Sequence, residues 1–501
     1  MILTGISSIL GFGRESYIAF AFGATGFTDS FNIAAIVPEM VAGWISYALT
    51  NALIPVLKEE LIRSRVDGRR LATTSFWIAG VSLSAISVLV YFTPGLFISL
   101  LAPYFGMVRH STATHLLIIM IPAIVFSGLS GVLWGIHNAR GNFSYPALTG
   151  IAYNVLLLGV VLLLRRRLGI DALAFAFLAG AVARFLVQLI PLVRADGLGL
   201  PRTWRNPAMK SILYSMVPII ASTGVGSMNL IVDRMLASGL PSGHLSDLNY
   251  ASKIGILPTS LIGVSLATAV YTRFVTLSLD RDDAGLRRIV RDGYVWMLFF
   301  GVVVMAGFLI YPSDIVSALF YRGRFTAADV RVASGPLIVY GWFSATYLLQ
   351  PLIVHYFYAR RANRFVFRAS ALAVALNIVG SIALVRPLGI VGLVFANAFS
   401  TFAYVCLQTH VMLSGLQWTW RNFLYDVLPK GLLPGLSFVS GAGCVALFDH
   451  EVHVIGPMHA LERGIFGLLG GSVTFLLYVL FFPRNVVSGN VRAVLRRVKL
   501  R

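Results

Sequence analysis

Residues 26–34 read GFTDSFNIA, and residues 243–251, about 217 positions later, read GHLSDLNYA. A second, weaker echo pairs Ala139-Arg140 with Ala359-Arg360. These segments fall at equivalent points among long apolar runs, which predicts that the chain contains two homologous halves. If each half has an even number of helices, both have the same orientation, related by a pseudo-two-fold axis along the membrane normal.

The segments that flank the repeat are too apolar for a water-soluble protein. Of the 501 residues, 57% are apolar and 12% are charged, whereas soluble globular domains are about 25% charged. A membrane-spanning helix needs about 20 predominantly apolar residues, so such helices fill the chain and leave no room for an aqueous catalytic domain. The apolar runs predict fourteen helices, near residues 3–22, 31–56, 72–94, 112–136, 146–164, 171–193, 211–235, 247–272, 294–311, 333–357, 366–385, 389–412, 431–448 and 463–482.

The predicted fold is therefore an all-α integral membrane protein of about fourteen transmembrane helices. Six helices form an N-terminal lobe over residues 1–205, and six more form a C-terminal lobe over residues 206–413. Helices 13 and 14 and a basic cytoplasmic tail occupy residues 414–501. A duplicated bundle of this kind is typical of transporters that bind their substrate between the halves.

Charge predicts the orientation of these helices. The chain carries 40 Lys and Arg against 20 Asp and Glu. The basic residues cluster in the connections after even-numbered helices, as in 63–70 and 281–291, and in the tail. This distribution follows the positive-inside rule and predicts a multi-pass protein with both termini in the cytoplasm. Because topology explains the excess charge, nucleic acid is not expected as a partner, and Arg14 and Glu15 in the first apolar run argue against a cleaved signal peptide.

Ionisable residues inside predicted spans are costly and usually face a cavity or a partner. Arg14 and Glu15 lie in helix 1, Asp29 and Glu39 in helix 2, Asp233 and Arg234 at the end of helix 7, and Lys253 in helix 8. One interpretation is local neutralisation, of Arg14 by Glu15 or Glu39 and of Asp233 by Arg234. The other is that Arg14 and Lys253, on equivalent helices of the repeat, line one cavity and bind an anionic cargo, because both side chains bind phosphate through charge-assisted hydrogen bonds.

Motifs that would indicate other chemistries are absent or lie in an unsuitable context. Asp280-Arg281-Asp282 matches the D-x-D pattern of metal-binding glycosyltransferases, but it lies in a short basic connection and is read as a solvated loop. The nine histidines include no HExxH pattern, so no metal site is expected. No Walker A sequence is present. The chain is therefore expected to be a transporter without a catalytic residue or bound cofactor, driven by an ion gradient, the membrane potential or the gradient of its cargo.

Taken together, several segments resemble the MurJ/MviN lipid II flippase family, within the multidrug/oligosaccharidyl-lipid/polysaccharide exporter superfamily. They are LGFGRE at 10–15, FGA at 22–24, TDSF at 28–31, DRMLAS at 233–238, LNYASK at 248–253 and RGRFT at 322–326. The resemblance implies a bacterial inner-membrane protein that moves an undecaprenyl-diphosphate-linked peptidoglycan precursor between leaflets by alternating access. It also implies that helices 13 and 14 form a groove for the lipid tail.

The resemblance assigns roles to single residues. Arg14 matches a cavity arginine of the family, Asp29 matches its helix 2 acid, and Lys253 lies where the family has an arginine. With Glu39 and Arg234, these three form the predicted substrate-binding set. In it, Arg14 and Lys253 hold the diphosphate and Asp29 tunes or gates them.

The resemblance also implies a candidate Na+ site, whose matching residues are Asp233 and Asn377. We expect transport to be coupled to Na+ or to the membrane potential.

The chain departs from the family pattern at Ser8 and Ala42, where the family carries arginines, and at Glu39, which replaces an amide. Ser381 replaces an acid of the family's Na+-binding members, and Lys253 lacks the bidentate fork that suits a diphosphate. The missing cations leave open a flippase for another polyprenyl-linked glycan, such as O-antigen or exopolysaccharide. The partners expected are thus a polyprenyl-diphosphate-linked glycan and membrane lipid, with no protein partner specified.

Two further classes stay open. A drug/cation antiporter would want acidic or aromatic cavity walls, which Asp29, Glu39 and Asp233 can supply. A membrane glycosyltransferase would need an acidic periplasmic loop, but the longest such stretch, residues 95–111, has no Asp or Glu.

Overall fold

A computed structural model describes residues 2–196, 199, 207–448, 457–481, 487 and 491, and in this part of the chain there is no β-strand. The first helices are α1 (Ile2–Phe22), α2 (Gly26–Arg63), α3 (Arg65–Phe92), α4 (Pro94–Leu101), α5 (Met107–Met120), α6 (Pro122–Ala139), α7 (Ser144–Leu168), α8 (Asp171–Asp196) and α9 (Pro207–Ala237). They are followed by α10 (His244–Pro258), a π-helical turn (Thr259–Gly263), α11 (Val264–Leu279), α12 (Asp283–Ile310), α13 (Pro312–Phe320), α14 (Ala327–Trp342), α15 (Ser344–Ala359), α16 (Asn363–Gly415), α17 (Trp420–Phe448) and α18 (Pro457–Phe481).

The helices confirm the predicted all-α membrane class. Among the described residues, eight helices are long and apolar enough to cross a bilayer, or up to ten if each bent pair counts as one span. The bent pairs are α5 with α6, at 47°, and α14 with α15, at 54°. The predicted number of fourteen spans stays a prediction.

Two predicted helices are joined in α16, whose 53 residues contain one break. At Gly389 the backbone has φ 57° and ψ −134°, which is not helical. Glycine adopts this conformation without the steric cost that a Cβ would add. The break falls at the first residue of the helix predicted over 389–412, just after the helix predicted over 366–385.

The order of elements repeats along the chain. The long helix α3 is followed by the short α4 and the bent pair α5 and α6, just as α12 is followed by α13 and the bent pair α14 and α15. A duplicated chain would show this order. By packing, however, the chain divides into two compact units, Met1–Ser246 and Asp247–Arg501. Since α9 packs within the first unit, this division does not follow the predicted lobe boundary at 205, which stays a prediction.

In the first unit, small residues allow α2 and α6 to approach closely. Ser46 Oγ donates to the carbonyl of Gly128 at 3.2 Å, and Thr50 Oγ1 donates to that of Gly131 at 2.8 Å. A Cβ on Gly131 would lie 2.2 Å from the Cβ of Ser46. Close backbone approach with hydroxyl hydrogen bonds is the usual way membrane helices associate. This contact fixes one wall of the cavity described below.

In the second unit, aromatic packing joins α12, α16 and α17. The hydroxyls of Tyr294 and Thr409 lie 2.6 Å apart, so the buried phenol has a partner. The ring of Tyr294 meets Phe423 edge to face, with centroids 5.0 Å apart. Such pairs contribute about 0.5–1.5 kcal/mol beyond their area burial.

Candidate functional site

The first unit contains a cavity of about 460 Å³ with mixed polar and apolar walls, between α2, α6, α7 and α8. Small ligands typically occupy clefts of about 300–1,000 Å³. Four of its lining residues carry hydroxyl groups on short side chains, and three others bear an acid, a guanidinium and an amide. The lining residues are Glu39, Ala42, Gly43, Ser46, Ser127, Ser130, Gly131, Trp134, Thr149, Tyr153, Phe177, Arg184 and Gln188.

Two guanidinium groups lie against one aromatic ring at this cavity. The Cζ atom of Arg184, on α8, lies 4.4 Å from the ring centroid of Tyr153, and that of Arg14, on α1, lies 5.4 Å from it. Cation–π contacts contribute about 0.5–2 kcal/mol each, more when they are desolvated. Tyr153 therefore positions two like charges that would otherwise repel each other.

Arg14 is held by polar contacts from two helices. Its Nη1 donates to Asn154 Oδ1 at 2.9 Å, and its Nη2 forms an ion pair with Glu15. The Arg14 side chain keeps 18% of its surface exposed. The predicted neutralisation by Glu15 is thus present, and part of the Arg14 side chain stays exposed.

The exposed side chain of Glu39 lines the same cavity as Arg184, and the role of Glu39 in binding substrate stays a prediction. Ala42, one of the two positions that lack an expected cation, lines this cavity as well. The cavity therefore has mixed charge: an acid on α2 and an arginine on α8.

Asp29 lies in a different environment. It is 0% exposed and its carboxylate binds protein groups: Oδ2 accepts from the Gly243 backbone N at 2.7 Å, and Oδ1 accepts from the Ser246 backbone N at 2.9 Å and its Oγ at 2.7 Å. Arg109 Nη1 lies 3.9 Å from Oδ2. Gly243 directly precedes α10 and Ser246 lies in its first turn, so Asp29 caps the free N–H groups and the positive dipole end of that helix. In this conformation Asp29 has no surface for a substrate.

The turn that Asp29 caps requires glycine at position 243. Gly243 has φ +95°, and a Cβ there would lie 2.5 Å from the carbonyl oxygen of Ala24. We expect Gly243→Ala to lower the free energy of unfolding by more than about 2 kcal/mol, because backbone strain and a backbone clash add. Thermal unfolding of the purified protein measures this loss.

Gly141→Ala is the matched control for this prediction. Gly141 also has a positive φ, +76°, but a Cβ there would meet nothing within 4 Å. Its substitution should therefore cost only the conformational strain, about 1 kcal/mol. Equal losses for the two variants would mean that the close approach of Gly243 to Ala24 adds nothing.

The other predicted site residues lie on α9, α10 and α16. Asp233 and Arg234 are half-buried near the end of α9 in the first unit, and Lys253 is half-buried on α10 in the second. Asn377 is fully buried on α16, where Ser381 Oγ lies 3.4 Å from its Oδ1. A shared cavity for Arg14 and Lys253, and a Na+ site joining Asp233 and Asn377, stay predictions. In the described ranges, no group of three or more His, Cys, Asp or Glu side chains is placed to hold a metal ion.

Sequence reasoning missed Arg184 and Tyr153. Arg184 is an arginine inside an apolar span, Asp171–Arg194, and such a residue is a functional candidate by default. That signal was available. Tyr153 gave none, since tyrosine is ordinary in membrane helices and only the fold shows that two arginines meet its ring.

Comparison with known proteins gives the family. A family model described as "Lipid II flippase MurJ" matches residues 18–451. The lipid II flippase MurJ of Burkholderia cenocepacia is 28% identical over 377 residues, which cover 72% of this chain and 72% of that protein.

The fold agrees with this match. A solved structure of lipid II flippase MurJ in an inward closed conformation has a TM-score of 0.82 at 24% identity, covering 97% of this chain and 99% of that one. An inward-facing MATE family multidrug transporter has a TM-score of 0.67 at 14% identity over 82% of this chain and 95% of its own. These two likenesses show the fold alone, whereas the family model covers most of the sequence. The chain therefore belongs to the lipid II flippase MurJ family.

Proposed function

We propose that this protein moves lipid II, the undecaprenyl-diphosphate-linked peptidoglycan precursor, across the bacterial inner membrane by alternating access. No covalent bond is made or broken. The observation that supports this proposal most strongly is the pair of guanidinium groups, Arg14 and Arg184, held at one tyrosine ring within a MurJ-family fold. Both termini are proposed to lie in the cytoplasm, as the charge distribution predicts.

The physical task is to carry a charged head group through a hydrocarbon layer about 30 Å thick. An ionised group that enters this layer without a partner loses its hydration at a cost of many kcal/mol. Fixed guanidinium groups replace part of that hydration with charge-assisted hydrogen bonds. Arg14 is proposed to make such bonds with the diphosphate, and Lys253 is proposed as its second cation.

Asp29 is proposed to act on the conformational change and not on the substrate. Its three hydrogen bonds to Gly243 and Ser246 tie the start of α2 to the start of α10. A conformation that opens this end of the bundle has to break them. Asp29 would thus stabilise one end state of the transport cycle.

The membrane potential is the proposed driving force, with Na+ coupling through Asp233 and Asn377 as the alternative. Moving one charge through the potential changes the free energy by about 2.3 kcal/mol per 100 mV. A diphosphate that leaves a negative cytoplasm moves down this potential. Collapsing the potential should therefore slow transport, whereas removing Na+ alone should not.

Complementation tests the proposed function. Cells depleted of their own lipid II flippase should resume growth and lipid II translocation when this chain is supplied. The same cells supplied with Arg14→Ala at equal membrane levels should not. If the unaltered chain inserts in the membrane but restores neither growth nor translocation, the cargo is not lipid II, and another polyprenyl-linked glycan becomes the better assignment.

A further inference from the structure

Arg184 has unused hydrogen-bonding capacity at the cavity of the first unit. Its guanidinium contacts the ring of Tyr153, but within the described part of the chain it has neither a hydrogen bond nor an ion pair. A guanidinium carries five N–H donors in a planar fork. Because Arg184 lines the cavity, these donors are available to an anionic group of a ligand.

A second polar group with unused hydrogen-bonding capacity lies on the same helix, α8. Gln188 is fully buried, and its Nε2 donates to Ser130 Oγ at 2.6 Å and to the Ser130 carbonyl at 3.0 Å. Its Oε1, by contrast, has no donor. Buried polar atoms nearly always have partners, so an orphaned acceptor beside a cavity calls for a donor from elsewhere.

The residues that line the cavity indicate which kind of ligand provides an anionic group for Arg184 and a hydrogen-bond donor for Gln188 Oε1. An ionised diphosphate offers acceptors only, so it cannot donate a hydrogen bond to the carboxylate of Glu39 or to Gln188 Oε1. A peptide-bearing amino sugar offers carboxylates for Arg184, amide N–H groups and hydroxyls for Glu39 and Gln188, and apolar faces for an aromatic ring. The indole of Trp134, 43% exposed at the cavity, provides such a surface.

We propose that this cavity is a subsite for the peptidyl amino-sugar head group of lipid II, in which Arg184 binds a carboxylate of the peptide. The inference rests on the proposed function and deepens it, because it separates the site of the head group from that of the diphosphate. Arg184 and Tyr153 thereby become binding residues for the part of the cargo that distinguishes one lipid-linked glycan from another.

Binding of two soluble probes to the purified full-length protein tests this subsite. One probe is N-acetylmuramyl pentapeptide, which has carboxylates but no phosphate, and the other is farnesyl diphosphate, which has phosphates but no carboxylate. Arg184→Gln should raise the Kd for the muramyl peptide at least tenfold and change that for farnesyl diphosphate less than twofold. Isothermal titration calorimetry in lipid nanodiscs gives both constants.

Arg165→Gln is the matched control. Arg165 lies in the same unit and contacts aromatic rings, with its Cζ 5.2 Å from the centroid of Tyr17 and 5.3 Å from that of Phe20. It does not line the cavity. This variant removes a stacked arginine from the same unit, and both affinities should be retained.

Gly43→Phe tests the cavity independently of Arg184, in case Arg184→Gln does not fold. Gly43 lines the cavity, and a Cβ there meets nothing within 4 Å, so the added ring can occupy the space the head group needs. It should also raise the Kd for the muramyl peptide at least tenfold.

Three results would overturn the subsite. They are no binding of the muramyl peptide to the unaltered protein, an unchanged Kd in folded Arg184→Gln or Gly43→Phe, or a loss in Arg184→Gln confined to farnesyl diphosphate. In each case, complementation by the unaltered chain would still decide the proposed function separately.

Discussion

Arg14→Ala is expected to abolish lipid II transport while the protein still inserts in the membrane. The substitution removes the hydrogen bond to Asn154, the ion pair with Glu15 and the contact with Tyr153. It also removes the proposed ligand of the diphosphate, so translocation should fall at least a hundredfold, to the background of depleted cells. Translocation per inserted molecule, measured at matched membrane levels, checks this expectation.

A double variant separates the role of Arg14 in transport from its role as a counter-charge. Arg14→Ala alone removes the positive charge of Arg14 from beside the buried Glu15 carboxylate, which is typically more destabilising than removing both charges. Arg14→Ala with Glu15→Ala should therefore regain stability relative to the single variant but not transport. If the double variant transports at the normal rate, Arg14 serves only to neutralise Glu15 and has no place in binding.

Asp29→Ala is the second substitution with a large expected effect. It leaves the backbone N–H groups of Gly243 and Ser246 buried without an acceptor, and each such group costs about 1–3 kcal/mol. The free energy of unfolding should fall by about 3 kcal/mol or more. Transport should fall at least tenfold, because one end state of the cycle loses the hydrogen bonds that stabilise it. Thermal unfolding and translocation are measured on the same preparation.

Ser30→Ala provides the control from the adjacent position. Ser30 is also 0% exposed, but its Oγ is a neutral donor, to the carbonyls of Gly26 and Arg109 at 2.9 Å each. A neutral hydrogen bond contributes about 1 kcal/mol net, so this variant should be mildly destabilised and should still transport. If Ser30→Ala and Asp29→Ala lose equal stability and activity, the negative charge of Asp29 beside the N-terminus of α10 has no special role.

Much of the fold follows from the sequence because the bilayer requires long apolar helices. The bend between α5 and α6 also has a local signal, since Pro122 begins α6 and proline interrupts helical hydrogen bonding. The bend between α14 and α15 occurs at Phe343, where no proline stands. Neither that bend nor the packing of α9 in the first unit is written in local periodicity, because both depend on tertiary contacts.

The site was less predictable, for a related reason. The internal repeat aligns Asp29 with Ser246 in the sequence. The structure shows that the side chains at these two equivalent positions form a hydrogen bond, a contact across 217 residues of chain. The sequence indicated that Asp29 matters but could not show that its partners are two backbone N–H groups and a hydroxyl at the start of α10. Likewise, the missing arginine at Ala42 left another polyprenyl-linked cargo open, whereas the fold brings Arg184 from α8 to the same cavity.

The most direct test of the account is the accessibility of lipid II in the outer leaflet of cells that depend on this chain. A lipid II-cleaving enzyme that cannot cross the membrane is added outside, and the cleaved fraction is measured. With the unaltered chain, most lipid II should be cleaved, and with Arg14→Ala at the same membrane level almost none. If lipid II stays protected in cells that contain the inserted, unaltered chain, this protein does not move lipid II.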